Sequence, residues 1–363
     1  MNIENEPTLQ PTTNLDHREF EQVRKDDKTY FHAEQSSEVF EDDTVLETLD
    51  LRQLSGSPED ATAFADALAR GLSDIGFVYL TGHGIDPPLF EEADRRTRHF
   101  FENTPEEVKM RFKAERQGSV NQGYFPYKKS TKMHPDLVEG WVFANRAFNL
   151  EGRPGREAEI GTFWPNLDDE RFFRSLYQSL EGLALPMMRA ILRWFECPAD
   201  LYDRKLTDTL CALRLNYYPG LSAEDEKLGA ARLLGHEDVT LFTFLPASPV
   251  EGLQVFNRKT GRWIRLVPPA GTIILNAGDY LQRITNDIFQ SSTHRVSPPR
   301  DPAARRRPRT SFPLFVYLRE AELVEVLPAF KKPRYEPIDA LTFHTNITRK
   351  FYGASYGQGN AAR

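Results

Sequence analysis

The sequence contains only two cysteines, Cys197 and Cys211, among 363 residues. So few cysteines exclude the disulfide framework of a small secreted scaffold, and they also exclude a cysteine-rich zinc or iron–sulfur site. No apolar run approaches the length of about 18 residues that a membrane-spanning helix needs. The opening residues, MNIENEPTLQ, lack the basic and apolar regions of a signal peptide. We therefore expect a cytoplasmic protein without a membrane partner.

Basic residues are also too few to outweigh the acidic ones. The chain has 46 lysines and arginines against 53 aspartates and glutamates, which gives a formal net charge of -7. A protein that binds nucleic acid through bulk charge needs a basic surface, so we expect no nucleic-acid partner. There are eight histidines, and this number limits any site that is built from imidazole groups.

The chain divides into four regions by composition. Residues 1–43 are polar and charged and are predicted to form a loosely attached N-terminal arm. Residues 44–200 are predicted to be rich in helix, although the stretch 115–165, which has many glycines, prolines and aromatic residues, is expected to be irregular. Residues 201–330 consist of short apolar runs separated by turns, which is typical of an antiparallel sandwich or barrel. The tail, residues 331–363, is a candidate cover for an active site.

The helical region has recognisable starts and breaks. Apolar residues at helical spacing predict helices over residues 58–76, 87–103 and 167–196. Pro186 lies inside the last of these and is expected to bend or split it. Thr104, which is followed by a proline and then by acidic residues, is predicted to be the N-cap of a further helix.

One tripeptide combines two metal-ligating side chains. His236 and Asp238 stand just before an apolar strand-like run, and residues i and i+2 of an extended segment point to the same face. His294, in the strand-like THRV, is a candidate third ligand. Two histidines and one carboxylate form the facial triad of non-haem Fe(II) oxygenases. By itself the tripeptide is weak evidence, and a loop histidine beside an exposed aspartate is the plain alternative.

The other histidines have less specific surroundings. His83 lies between two glycines at the end of a predicted strand, where capping a turn is the simpler role. The rest lack partners at ligand spacing: His17 and His32 in the polar arm, His99 on a charged helical segment, and His134 and His344 in irregular segments.

Several motifs follow one another between residues 44 and 330. They are GFVYLTGHGI (76–85), FFENTPEEV (100–108), RLNYYP (214–219), HEDVTLFTFL (236–245), GLQV (252–255), LNAGD (275–279) and RTSFPLF (309–315). In this order they resemble the isopenicillin N synthase-like group of 2-oxoglutarate- and Fe(II)-dependent dioxygenases. The resemblance implies an enzyme of α+β, mainly β, class. Its core would be a double-stranded β-helix (a jelly roll, cupin-like) wrapped by N-terminal helices.

The resemblance also implies the cofactors. His236, Asp238 and His294 would bind Fe(II), which leaves coordination positions for 2-oxoglutarate as cosubstrate and for O2. Ascorbate is a candidate reductant.

The same resemblance implies a set of cosubstrate-binding residues: Arg309, Ser311, Tyr218, Asn216 and Arg214. Arg309 can pair with the distal carboxylate of 2-oxoglutarate in bidentate fashion, and Ser311 shares its face of the strand. The interval between His294 and Arg309 is longer than is common in the family, so Arg300 is the alternative to Arg309.

The expected reaction is the oxidation of an unactivated C–H bond of a small molecule, by hydroxylation, desaturation or ring formation, in secondary metabolism. The alternative is an iron oxidase of the same fold that does not use 2-oxoglutarate, similar to isopenicillin N synthase or aminocyclopropanecarboxylate oxidase. Arg309 and Ser311 would then hold a carboxylate of the substrate. Substrate contacts are expected from residues 123–133, from Phe242 and Phe244, and from the tail. A monomer or weak homo-oligomer is expected.

Overall fold

The structure is a computed structural model. It describes residues 24–25, 28–29, 38–117, 120–127, 137–152, 163–164, 166–207, 210–227 and 231–352. Within these ranges, no helix combines the length and the apolar character that crossing a membrane would require.

The β-strands are mostly short and lie along the whole described chain. They are β1 (Arg24–Lys25), β2 (Lys28–Thr29), β3 (Thr48–Asp50), β4 (Phe77–Thr81), β5 (Glu115–Gln117), β6 (Val120–Phe125), β7 (Glu139–Ala144), β8 (Leu210–Tyr218), β9 (Leu233–His236), β10 (Phe242–Pro246), β11 (Leu253–Asn257), β12 (Arg262–Arg265), β13 (Ile273–Ala277), β14 (His294–Val296), β15 (Arg309–Ser311), β16 (Leu314–Tyr317), β17 (Leu323–Val324) and β18 (Ile338–Asp339).

The longer helices lie on either side of the strand-rich part of the chain. The helices are α1 (Pro58–Asp74), α2 (Pro87–Asn103), α3 (Glu106–Met110), α4 (Leu167–Glu181), α5 (Ala184–Trp194), α6 (Asp203–Thr207), α7 (Ala223–Lys227), α8 (Asp279–Ile284), α9 (Pro302–Arg305) and α10 (Ala340–Tyr352). Short 3-10 helices cover Leu51–Ser55 and Asn145–Ala147.

The helix predictions are confirmed with two differences. The predicted third helix is split into α4 and α5 at Gly182 and Leu183, shortly before Pro186, which lies in the first turn of α5 where a proline is tolerated. Thr104 was the predicted N-cap of the following helix, and this is wrong. Thr104 is the C-cap of α2, and Pro105 holds the N-cap position of α3.

Two facing sheets form the core. The large sheet has the strand order β3-β4-β13-β10-β16-β8-β7-β6-β5, with β15 also paired to β8, and the small sheet has the order β12-β11-β14-β9. Apolar residues of both sheets form one buried cluster, among them Phe77, Tyr218 and Ile274 of the large sheet and Val255 and Val296 of the small one. Apart from the parallel pair β3–β4, the strands of both sheets pair in antiparallel fashion, and this two-sheet arrangement is the predicted double-stranded β-helix.

The other face of the large sheet packs against helices. Strand residues such as Leu213, Phe242 and Val316 share a buried cluster with Phe64 of α1 and Leu180 of α4. The large sheet is therefore covered on both faces, by helices on one side and by the small sheet on the other. This confirms the predicted helical wrapping of a β core.

The N-terminal half contributes strands that the sequence did not reveal. Strands β6 and β7 fall in the stretch that was expected to be irregular, and both belong to the large sheet, where β7 pairs with β8. Strand β4, which the sequence did predict, also joins this sheet, antiparallel to β13. The sheet thus extends across residue 200, where the sequence suggested a boundary.

Residues 38–42, here called the N-terminal strap, lie across the outer face of the small sheet. Phe40 forms an isolated bridge with Trp263, and the guanidinium of Arg265 lies 3.2 Å from the centroid of the Phe40 ring. Trp263 and Arg265 alternate with Ile264, which belongs to the inner cluster, so they face outward. The expectation of a loosely attached arm over residues 1–43 is therefore wrong for this end of it, and most of the remaining arm lies outside the described residues.

Candidate active site

The three candidate metal ligands come together between the two sheets. His236 ends β9, Asp238 follows it in the connection to β10, and His294 begins β14, where the antiparallel register places it directly opposite His236. The two imidazole centroids are 4.4 Å apart. Oδ1 of Asp238 lies 3.7 Å from Nε2 of His236 and 3.8 Å from Nε2 of His294. One ligand atom from each residue fits within a span of 4.8 Å.

Each imidazole is oriented by the backbone. Nδ1 of His236 lies 2.8 Å from the carbonyl oxygen of Leu234, and Nδ1 of His294 lies 3.1 Å from that of Ser292. Because a carbonyl oxygen can only accept, Nδ1 must carry the proton in both rings. Each Nε2 is then left as a lone-pair donor toward the space between the three residues.

The two oxygens of the Asp238 carboxylate have different surroundings: one accepts hydrogen bonds, and the other faces the histidines. Its Oδ2 accepts hydrogen bonds from Oγ1 of Thr243 at 2.7 Å and from Nδ2 of Asn276 at 2.8 Å. Its Oδ1 is the atom nearest to the imidazoles. Such partners behind the ligands are what fix ligand direction in metal sites. The residues present therefore fit a divalent metal ion with two nitrogen ligands and one oxygen ligand.

The electrostatics of His236 and Asp238 favour the protonation states that a metal needs. Desolvation and, after it, the neighbouring His294 together lower the pKa of His236 to about 4, against the opposing effect of Asp238. Burial would raise the pKa of Asp238. The two imidazoles, together with the hydrogen bonds from Asn276 and Thr243, outweigh burial and hold it below its ordinary value. Neutral imidazoles and an ionised carboxylate are the metal-binding forms.

The three ligand side chains differ in how far they are exposed to solvent. The side chain of His236 remains 26% exposed, whereas Asp238 retains 6%, and His294 retains 10%. A small molecule can therefore reach the ligands on the side of His236.

Four of the five predicted cosubstrate residues form a second group on two paired strands. The register of β15 on β8 places Arg309 opposite Tyr218 and Ser311 opposite Asn216. The guanidinium of Arg309 lies 5.1 Å from the ring centroid of Tyr218, and Nδ2 of Asn216 donates to Oγ of Ser311 at 3.2 Å. The fifth, Arg214, contacts none of these four side chains.

Arg309 is a buried cation without a matching carboxylate among the described residues. The residue is 3% exposed, its Nε donates to the carbonyl of Val250 at 3.1 Å, and its buried Nη1 has no hydrogen-bond partner. Burial lowers the pKa of Arg309. An unpaired buried charge is costly, so this site fits an anionic ligand. The alternative, Arg300, has a side chain that is 58% exposed and lies 3.7 Å from Glu251 at the surface.

Two expectations about substrate contacts need correction or lie outside the described residues. Phe242 and Phe244 alternate with Thr243, which holds Asp238, so they point away from the site and pack in the helix-side core. Of residues 123–133, only Gly123 to Tyr127 are described, so Lys128, Lys129 and Lys132 lie outside the described residues.

The remaining histidines play other roles where they are described. His83 is a turn residue, as expected. Its Nε2 lies 2.8 Å from the carbonyl of Gly271, and its Nδ1 accepts from the amide of Ile85. His99 is exposed on α2. His344 differs from expectation because it lies on helix α10, where it is buried beside Tyr280 and Tyr317.

The groups that support the ligands were not predicted from the sequence. Thr243 and Asn276 form a direct cross-strand pair between β10 and β13, and both bond the same carboxylate oxygen. Thr243 lies in the quoted HEDVTLFTFL motif and Asn276 lies in the quoted LNAGD motif, and these two motifs were the available signals. Arg232, fully buried just before β9, was also missed. Its Nη2 donates to the carbonyl of Arg307 at 2.9 Å.

Comparison with known families gives two matches that lie side by side along the chain. The 2OG-Fe(II) oxygenase superfamily matches residues 209–317, and the family described as non-haem dioxygenase in morphine synthesis N-terminal matches residues 46–166. The first covers both sheets at the candidate centre, and the second covers helices α1 to α3 and strands β3 to β7.

Individual relatives match over most of their length. The 2-oxoglutarate-Fe(II) type oxidoreductase ppzD of Metarhizium majus is 28% identical over 325 residues, which are 82% of this chain and 93% of that protein. Proline hydroxylase buaE of Petromyces alliaceus is 28% identical over 253 residues, which are 68% of this chain and 78% of that protein. A full-length protein of Neurospora crassa, solved in complex with alpha-KG and 5-formyluracil, has a TM-score of 0.73 at 25% identity. That similarity covers 86% of this chain and 97% of the Neurospora chain.

Proposed function

Because this chain belongs to the 2-oxoglutarate- and Fe(II)-dependent oxygenase superfamily, we propose that it oxidises a C–H bond of a small molecule at a centre formed by His236, Asp238 and His294. The observation that carries the proposal is the convergence of one ligand atom from each residue within 4.8 Å. Each of these atoms is freed for a metal because the other polar atom of the same side chain is already bonded.

Fe(II) held by these three residues would activate O2, whose four-electron reduction is balanced by the oxidative decarboxylation of 2-oxoglutarate to succinate and carbon dioxide and by the oxidation of R–H to R–OH. The protein residues provide orientation and charge. His236 and His294 present their Nε2 atoms, Asp238 contributes one negative charge, and Thr243 and Asn276 keep that carboxylate from rotating. The enclosing sheets limit the entry of water.

We further propose that Arg309, Ser311, Tyr218 and Asn216 bind 2-oxoglutarate. The guanidinium of Arg309 is buried and has an unsatisfied Nη1, so a carboxylate would provide both the missing countercharge and the missing acceptor. Ser311 can donate to the same carboxylate, since its hydroxyl already accepts from Asn216 and still carries a proton. The buried Oδ1 of Asn216 also lacks a partner and offers an acceptor to the pocket.

The test is succinate formation from 2-oxoglutarate in the presence of Fe(II), O2 and ascorbate. We expect turnover by the wild-type protein and its loss in His236→Ala. His99→Ala is the matched control, because His99 is exposed on α2 and bonds only to Asn103 in the same helix. Full turnover by His236→Ala would show that the proposed ligand set is wrong.

Anaerobic titration of 2-oxoglutarate into the Fe(II) protein separates this function from that of an oxidase that does not use the cosubstrate. We expect a visible charge-transfer band whose intensity saturates with 2-oxoglutarate. An Fe(II) protein that develops no such band, and that forms no succinate, would favour the oxidase.

The cellular setting is also part of the proposal. A role in secondary metabolism is supported by the similarity to ppzD and buaE, which are named as an oxidoreductase and a proline hydroxylase of fungi. A cytoplasmic location agrees with the two free cysteines, Cys197 and Cys211.

We propose a monomer or weak homo-oligomer that acts on a small molecule and not on nucleic acid. For residues 331–363 a covering role stays a prediction.

A further inference from the structure

Arg214 is a half-buried cation whose side chain makes no hydrogen bond or ion pair with any described residue. Its Nε is fully buried and has no hydrogen-bond partner. The acidic residue on the neighbouring strand β7, Glu139, does not pair with it. That carboxylate accepts from Nζ of Lys109 at 2.6 Å and from the hydroxyl of Tyr124 at 2.7 Å. A buried donor without an acceptor is unfavourable, so a ligand that supplies an acceptor would stabilise Arg214 in this position.

The guanidinium nevertheless has a defined position. It lies 5.2 Å from the ring centroid of Phe125 on β6. On its other side, a Cβ at Gly140 of β7 would come within 3.0 Å of both Nε and Nη2, so glycine at this position provides the space that the guanidinium occupies. Stacking on an aromatic face orients a guanidinium without using its N–H groups.

The surroundings explain why no protein group pairs with Arg214. On β8 it shares a face with Asn216 and Tyr218, but β15, which pairs with those two residues, ends at Ser311. The amide of Arg214 bonds the carbonyl of Pro313 instead, in the apolar Phe312–Pro313 link before β16. No polar side chain of the adjoining strand segment therefore stands opposite Arg214.

Arg214 lies on the same face of β8 as Tyr218, which belongs to the inner cluster between the two sheets, and it lies away from Arg309. At about 3.3 Å per residue, its Cα is roughly 13 Å along β8 from that of Tyr218, which Arg309 contacts. The two cations therefore mark opposite ends of the cavity face.

We propose that Arg214 binds a carboxylate of the oxidised substrate, which makes that substrate a small carboxylic acid. This inference rests on the proposed function of the centre. The planar fork of N–H donors matches the two oxygens of a carboxylate, and the ring of Phe125 fixes the plane in which they meet. 2-Oxoglutarate is assigned to Arg309, so the carboxylate at Arg214 belongs to a second molecule.

The test compares acids with amides of the same size. Benzoate, hexanoate and 3-phenylpropanoate, each paired with its primary amide, are titrated anaerobically into the Fe(II)·2-oxoglutarate protein by calorimetry. We expect at least one acid to bind about tenfold or more tightly than its amide, since charge-assisted bidentate hydrogen bonds are lost in the amide. Arg214→Leu should remove this preference, and Arg214→Lys should retain part of it. Arg204→Leu is the matched control, because the side chain of Arg204 is 87% exposed.

Three results would overturn the inference. One is that no acid of the set binds better than its amide. A second is an acid preference that persists in Arg214→Leu. The third is that Arg214→Leu weakens 2-oxoglutarate binding as strongly as acid binding, which would move Arg214 to the cosubstrate site. These titrations involve no turnover, so they fail separately from the succinate assay that tests the proposed function.

Discussion

Replacing Glu38 by glutamine is expected to destabilise the protein through a residue next to a metal ligand. Arg295 follows His294 on β14 and is fully buried on the outer face of the small sheet. Its Nη1 donates to Glu38 of the N-terminal strap at 3.0 Å, its Nη2 bonds the other oxygen of that carboxylate, and its Nε donates to Gln254 at 2.7 Å. The guanidinium also lies 3.8 Å from the ring centroid of Trp263.

The magnitude follows from the burial of the pair. The side chain of Arg295 is 0% exposed and that of Glu38 is 8% exposed. Glu38→Gln removes the charge of the carboxylate that pairs with the buried guanidinium of Arg295, and breaking a buried pair from one side costs about 3–5 kcal/mol. At about 2.1 cal/mol/K of unfolding entropy per residue, the 363 residues give about 0.76 kcal/mol/K, so each kcal/mol lowers the melting temperature by roughly 1.3 °C. We therefore expect a fall of roughly 4–7 °C in thermal unfolding followed by circular dichroism.

Two further variants make the reasoning testable. In Glu38→Leu/Arg295→Met both charges are absent, and most of the lost stability should return. Asp74→Asn breaks an exposed pair with Lys259, whose side chains are 59% and 63% exposed, and should cost below about 1 kcal/mol. If Glu38→Gln unfolds as close to the wild-type temperature as Asp74→Asn does, the strap must open and hydrate Arg295, and the argument from burial fails.

Three other substitutions test the centre and its surroundings. Asn276→Leu removes a hydrogen bond from Asp238 and should weaken Fe(II) affinity about 10- to 100-fold in competition with a chelator; unchanged affinity would contradict the supporting role. Arg309→Lys keeps the charge but loses the planar fork, so the KM for 2-oxoglutarate should rise roughly tenfold or more, and an unchanged KM would exclude Arg309 from the pocket. Desolvation raises the pKa of Glu181 in the folded protein above its value in the unfolded chain. Between these two pKa values the unfolded chain binds fewer protons than the folded protein, so the free energy of unfolding falls as the pH rises. Glu181→Gln, which still accepts from Tyr177, should therefore gain thermal stability relative to wild type across that interval and keep the gain at higher pH. A gain that is the same at all pH values would contradict this explanation.

The metal ligands could be predicted from the sequence because most of the necessary information is local. Alternation along a strand puts His236 and Asp238 on one face, and the order of motifs supplies His294. The support for Asp238 could not be predicted in the same way. Thr243 and Asn276 meet only because β10 and β13 pair in one register, and a shift of either strand by one residue would turn its own side chain of this pair to the helix side.

The missed strands have a physical explanation as well. Strand β6 includes Gly123, which has a φ of +116°, and a Cβ there would lie 2.3 Å from the carbonyl oxygen of Phe112. Tyr124 packs in the helix-side cluster, while its neighbour Phe125 packs in a separate cluster with residues of β7 and β8. Because both faces of the strand are buried, the alternation of apolar and polar residues that identifies a half-exposed strand is lacking.

The roles that we propose for Arg309 and Arg214 differ because different groups lie opposite them on the neighbouring strand. Alternation along β8 and β15 puts both side chains toward the cavity, and for that reason the sequence predicted one shared role. Arg309 is placed by the pairing of β15 with β8, which gives it Tyr218 as a neighbour. Arg214 lies where that pairing has ended and before β16 begins, so its cross-strand position is occupied by an apolar link. A short interruption between two strands therefore separates Arg309, to which we assign the proposed cosubstrate subsite, from Arg214, to which we assign the second anion.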